Sequence, residues 1–148
     1  MKKNTIILSL IFLLSSCGFT PIYLKNTNAN FSIEQVTYVG DRELNNFLKT
    51  YLNQYKNENV ENKIYIEANS VFEKIILSKN KIGKITDYQL VAEVIFLVKP
   101  SNKKIKIIEK KIINSMEDKF EEARYEKTIK QNFASSISSK LSSELIVN

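Results

Sequence analysis

Two short turn-forming stretches constrain the fold of this chain more than any other feature. Lys79-Asn80-Lys81-Ile82-Gly83-Lys84 and Pro100-Ser101-Asn102-Lys103 separate three strand-like segments, Lys63 to Ser78, Ile85 to Lys99 and Lys104 to Asn114. A strand that returns parallel to its predecessor needs a crossover of about a dozen residues or more, so links this short make antiparallel hairpins. Three neighbouring strands of one sheet are expected. The middle one is the clearest, with Tyr88, Leu90, Ala92, Val94, Phe96 and Val98 alternating onto one apolar face.

Upstream, Phe31 to Val39 begins with alternating apolar Phe31 and Ile33 and polar Ser32 and Glu34, which reads as a first strand closed by Gly40. Asp41 is a natural N-cap. Leu44, Phe47, Leu48, Tyr51, Leu52 and Tyr55 then share one helical face, with Asn45, Asn46, Lys49, Asn53 and Gln54 on the other, and Lys56 to Asn59 ends the helix. Downstream, Ser115 with Asp118 resembles a capping box, although an irregular lead-in before Tyr125 fits equally well. Ile129, Phe133, Ile137, Leu141 and Leu145 recur every four residues and predict a long amphipathic helix. Its outer face is assigned Ser135, Ser136, Ser139, Ser142 and Ser143, weak helix formers, so packing must hold it. The expected fold class is α+β: a four-stranded mixed, mostly antiparallel sheet with two helices on one face, in the order strand-helix-strand-strand-strand-helix. The strand-helix-strand start permits one parallel pair.

The N-terminus carries a different signal. Lys2 and Lys3 precede an apolar run from Ile6 to Leu14 and the small pair Ser15-Ser16, the three parts of a secretory signal, and the run is too short for a stop-transfer helix. Leu14-Ser15-Ser16-Cys17 matches a lipobox, which makes residues 1–16 a lipoprotein signal peptide and Cys17 the acylated mature N-terminus. The alternative is an ordinary buried Cys after an uncleaved apolar strand. Residues 17–30 read as a lipidated tether; at about 3.3 Å per residue it reaches roughly 40 Å when extended. Residues 31–148 form a single domain, of a length that can bury a real core. Cys17 is the only cysteine, so no disulfide can form within the chain. Gly18 lacks the Asp that retains lipoproteins in the inner membrane of enteric bacteria, which points to the outer membrane, on its periplasmic side.

The chain has no His, no Trp, one cysteine committed to acylation and no Gly-rich phosphate loop. The usual parts for nucleophilic, zinc or nucleotide chemistry are therefore missing, and neither an enzyme, a metal site nor a cofactor is expected. Glu117-Asp118 and Glu121-Glu122 are paired acids, but adjacent helical residues diverge and a solvated helix start favours acids anyway. The formal charge is +6, and only Arg42 and Arg124 among the 22 basic residues are arginine. That lysine bias, beside abundant Asn and Ile, is what an A+T-rich genome produces; an anionic partner is the competing explanation. Export disfavours nucleic acid.

Two features exceed a bland domain. Val91, Ile95 and Leu97 make the second face of the middle strand largely apolar too, and the next strand repeats this with Ile108 and Ile112 opposite Ile105 and Ile107. If both helices cover one face, this one is free for a partner, unless the tether or a terminal segment folds back over it. The turn holding Lys79, Lys81 and Lys84 places three cations at a hairpin tip, suited to phosphate groups or simply to solvent.

Cys17-Gly18-Phe19-Thr20-Pro21-Ile22-Tyr23 resembles the lipidated start, Cys-Gly-Phe-x-Pro-Leu-Tyr, of the LPS-assembly lipoprotein LptE family of alphaproteobacterial type. Lys81-Ile82-Gly83-Lys84-Ile85-Thr86-Asp87-Tyr88-Gln89-Leu90 is similar to that family's basic-x-Gly-x-x-x-(Glu/Asp)-Tyr-Gln-(Leu/Met) turn and strand, and the order of elements agrees across residues 31–148. The resemblance implies a noncatalytic outer-membrane lipoprotein seated in the lumen of the β-barrel LptD, which assists barrel assembly and insertion of lipopolysaccharide into the outer leaflet. It further implies that Lys81 contacts lipopolysaccharide, with Lys79 and Lys84 as further candidates on the same tip, and that a second basic contact lies in the segment leading to the last helix, where Lys119 and Arg124 are the candidates. A reading from another class is a periplasmic lipoprotein adaptor or inhibitor with no lipopolysaccharide contact.

Overall fold

The computed structural model describes residues 30–146. The expected signal peptide, Cys17 and the tether up to residue 29 lie outside them. Strand β1 (Ser32–Gly40) leads into helix α1 (Arg42–Leu52) and a single 3-10 turn (Asn53–Tyr55). Strands β2 (Lys63–Lys79), β3 (Ile85–Lys99) and β4 (Lys103–Asn114) follow, and helix α2 (Lys119–Ile146) ends the described chain. The sheet order is β1-β2-β3-β4, with β1 parallel to β2 and the other pairs antiparallel. This is the expected α+β fold.

Local chemistry explains the elements. Gly40 has φ +100, and a Cβ placed there would lie 1.8 Å from the carbonyl oxygen of Ser70, so the β1 to α1 corner demands glycine. Asp41 then caps α1: its carboxylate accepts from the Leu44 amide at 2.7 Å. Leu44, Leu48 and Leu52 of α1 and Ile129, Phe133, Ile137 and Leu141 of α2 are buried with one face of the sheet, contributed by Ile66, Ala68, Leu90, Val94, Phe96, Ile105 and Ile107. Alternation along β2 and β3 sends the intervening residues to the opposite face, which neither α1 nor α2 covers.

Two polar positions depart from the helical-wheel reading. Asn45, expected on the outer face of α1, is 8% exposed; it donates to the Val39 carbonyl at 3.2 Å and accepts from the Ser70 hydroxyl at 2.8 Å. The first turn of α1 follows β1 so closely that even its flank sits over the strand ends, where an amide can satisfy both groups. Ser142, expected on the outer face of α2, is also buried, as is Ser138. Helix α2 packs against α1 and β4 together, and small residues fit that double contact. At the start of α2 the cap is Asp118, which accepts from the amides of Phe120 and Glu121, while Ser115 turns to Glu122 instead of forming a capping box.

Candidate functional site

The first candidate is the uncovered face. Val91, Ile95 and Leu97 do lie on it and are partly buried by their neighbours. Strand register shows that the face is not continuously apolar. Val91 lies between Glu73 and Lys110, Ile95 between Asn69 and Lys106, and Leu97 between Glu67 and Lys104. Where β3 presents the polar Glu93 and Gln89, the flanking strands present apolar residues instead, Val71 with Ile108 and Ile75 with Ile112. The face is a checkerboard, because β2 and β4 alternate out of phase with β3. Ion pairs Lys106–Glu93 (2.9 Å) and Lys99–Glu67 cross it. Val39, Glu67, Asn69, Ile95, Leu97 and Lys104 line a shallow depression of about 410 Å³.

The second candidate is the β2–β3 tip. Asn80 organises it: its side-chain oxygen accepts from the amides of Ile82 (3.1 Å) and Lys84 (2.9 Å), and its backbone amide donates to the Lys84 carbonyl. Gly83 supplies the positive φ of +80 that the turn needs. This closed loop leaves Lys79, Lys81 and Lys84 exposed. Lys84 pairs with Glu117 at 3.4 Å, whereas Lys79 and Lys81 have no acid within ion-pair distance among the described residues. At the base, Ser78 and Thr86 donate to the Asp87 carboxylate and hold it below its ordinary pKa, while Asn114 contacts its other oxygen.

Lys119 and Arg124 stand apart from the tip loop, on the first two turns of α2. Lys119 binds Glu122 at 3.0 Å, and Arg124 binds Glu121 at 3.1 Å while lying over the Phe120 ring. The Lys84–Glu117 pair and the bond from the Ser115 amide to the Thr86 carbonyl bring the lead-in of α2 against the hairpin. The tip and this segment are thus neighbours, with Lys119 and Arg124 already engaged locally.

Helical spacing alone did not reveal the ionic seam between α2 and the rest of the domain. Lys74 bonds Glu122 and Glu126, both at 2.9 Å, and lies over the Tyr88 ring. Lys130, only 7% exposed, bonds Glu43 at 3.0 Å and approaches Asp41 at 3.6 Å over the Phe72 ring. Glu122 is 4% exposed, against the expectation of a solvated helix start. Burial pushes its carboxyl up, but the Met116 amide, Lys74 and Lys119 outweigh that and hold it at about 2. The signal was present in the four-residue ladder Glu122, Glu126, Lys130, which continues into Ala134, Ser138 and Ser142. Only with Lys74 on the covered face does that ladder become a contact rather than a wet stripe.

No family model and no curated protein matches the sequence. Solved structures match in fold. Rare lipoprotein B from Shewanella oneidensis superposes with a TM-score of 0.56 at 15% identity, over 75% of this chain and 92% of that one. A lipoprotein B from Nitrosomonas europaea gives a TM-score of 0.55 at 14% identity, over 80% and 86%. A minor lipoprotein from Acinetobacter baumannii gives 0.50 at 15% identity, over 74% and 93%. What this chain shares with these lipoproteins is the fold: a four-stranded mixed sheet with two helices on one side.

Proposed function

We propose that this chain is a noncatalytic outer-membrane lipoprotein, anchored through acylated Cys17 on the periplasmic side, that assists assembly of an LptD-type barrel and insertion of lipopolysaccharide into the outer leaflet. The observation that carries the reading is the sheet face left open by both helices, with Val91, Ile95 and Leu97 along its central strand. A checkerboard of apolar and charged positions suits a β-barrel wall, whose inward side is polar with interspersed apolar groups, better than it suits a wholly apolar core contact. The fold shared with lipoprotein B structures supports the same reading, as do the residues around Cys17 and Lys81. Lys81 and its neighbours on the tip serve as the phosphate contact for lipopolysaccharide, as point charges without fixed geometry.

Affinity purification of the full chain from the native envelope tests this, with mass spectrometry of both the partner and the mature N-terminus. Recovery of a large barrel with an acylated Cys17 is expected. Recovery of a soluble periplasmic protein instead, with no lipopolysaccharide, makes the chain an adaptor or inhibitor and ends the proposal.

A further inference from the structure

Strand β2 is 17 residues long. At about 3.3 Å per residue it spans on the order of 50 Å. Its first residue pairs with Ser32, two residues after the described chain begins, and its last reaches the hairpin tip, so the N-terminal entry and the tip lie at opposite ends of the sheet. Near the tip the alternation of buried and exposed residues stops. Ile75 is 42% exposed, Ile76 47%, Leu77 45% and Ile82 85%. Ile75 stands opposite Gln89 on the uncovered face and Ile76 opposite Tyr88 on the helix side, so apolar surface is exposed on both sides of one ribbon.

Ile75, Ile76 and Leu77 lie on the strand side of Lys79, whereas Ile82, the most exposed large apolar side chain among the described residues, lies between Lys81 and Lys84 at the very end of the ribbon. An acyl layer takes up one projecting apolar side chain without needing a complementary pocket. The charges fit the same medium, with Lys79, Lys81 and Lys84 collaring the apolar end and, among the described residues, only Glu117 in an ion pair with them. We infer that the tip is a lipid wedge: Ile82 enters the acyl layer of an anionic lipid assembly while Lys79, Lys81 and Lys84 rest at its phosphates. This deepens the phosphate-contact reading of Lys81 and rests on it for the headgroup contact, but it does not depend on the barrel.

The chain contains no tryptophan, so one substitution supplies an unambiguous local reporter. Ile82→Trp and, as a control midway along β2, Val71→Trp are introduced separately into the full chain. Each is mixed with vesicles of phosphatidylglycerol and phosphatidylcholine, with and without brominated acyl chains. The expected result is a blue shift and bromine quenching at position 82, neither of them at position 71, and loss of both when Lys81→Glu is added. Because each reporter reads its own surroundings, membrane binding through the N-terminal segment does not confuse the outcome. Ile82→Trp emission that stays unshifted and unquenched overturns the wedge, even where Lys81→Glu still weakens lipopolysaccharide binding and so leaves the phosphate contact standing. Equal quenching at both positions also overturns it, because the tip is then not the inserted part. A quenched tip in a protein that recovers no barrel would keep the wedge and remove only the barrel assignment.

Discussion

Gly40 and Gly83 both have positive φ, yet their surroundings make opposite predictions. At Gly40 a methyl group meets the Ser70 backbone at 1.8 Å, and neither that strand nor the capped start of α1 can retreat without losing its hydrogen bonds. Gly40→Ala should therefore cost about 3 kcal/mol or more, the sum of a left-handed backbone penalty and a forced strand shift. At Gly83 a Cβ meets nothing within 4 Å. Gly83→Ala should cost only about 1 kcal/mol, from backbone conformation alone. Urea unfolding of the two variants against the parent measures the difference. If the two cost the same, the β1 to α1 corner is looser than its geometry states.

At the scale of elements, the ionic seam holds the beginning of α2, and its behaviour with pH is specific. Glu122 is depressed from an ordinary 4.5 to about 2 in the folded chain. Its contribution to stability is thus fully present above about pH 4.5, and it is lost as pH falls towards 2. Glu122→Gln keeps the shape but removes the charge that answers Lys74 and Lys119, and should destabilise the domain by about 2 kcal/mol at neutral pH. The gap between variant and parent should then shrink between pH 4.5 and 2. Thermal unfolding across that range checks it, and a gap independent of pH would mean that Glu122 acts by packing. The seam also marks how far sequence patterns reach. Turn composition, the alternation in Ile85–Lys99 and the stripe from Leu44 to Leu52 each report a local period, so the strands, the hairpins and α1 were legible. Asn45, Glu122 and Lys130 were not, because polar residues become core only through partners far along the chain: Ser70, Lys74 and Glu43. The candidate face was legible along β3 alone. Its checkerboard emerges only when register sets Glu67, Asn69 and Glu73 on one side and Lys104, Lys106 and Lys110 on the other.

For the whole molecule, the open face and the hairpin tip have different chemistry and should fail separately. Ile95 points away from Val94 and Phe96, which are fully buried under the helices, and it is flanked by Asn69 and Lys106. Ile95→Arg should therefore leave the isolated domain folded. In a partner contact the same change places an unpaired guanidinium beside Lys106 in a desolvated surface, which should weaken the complex by several kcal/mol, on the order of a buried unpaired ion. Lys81 touches no acid among the described residues, so Lys81→Glu should also leave the fold intact. Its effect should be a loss of about 1 kcal/mol in lipopolysaccharide binding that fades as salt is raised, because the contact is an exposed one. Both variants are taken through circular dichroism, barrel pull-down and a lipopolysaccharide binding assay at two ionic strengths. Loss of the barrel with Ile95→Arg alone, and of lipopolysaccharide with Lys81→Glu alone, is the expected pattern. Unfolding by Ile95→Arg would make that face part of the core and remove the partner argument, and normal lipopolysaccharide binding by Lys81→Glu would reduce the tip's cations to solvated charges.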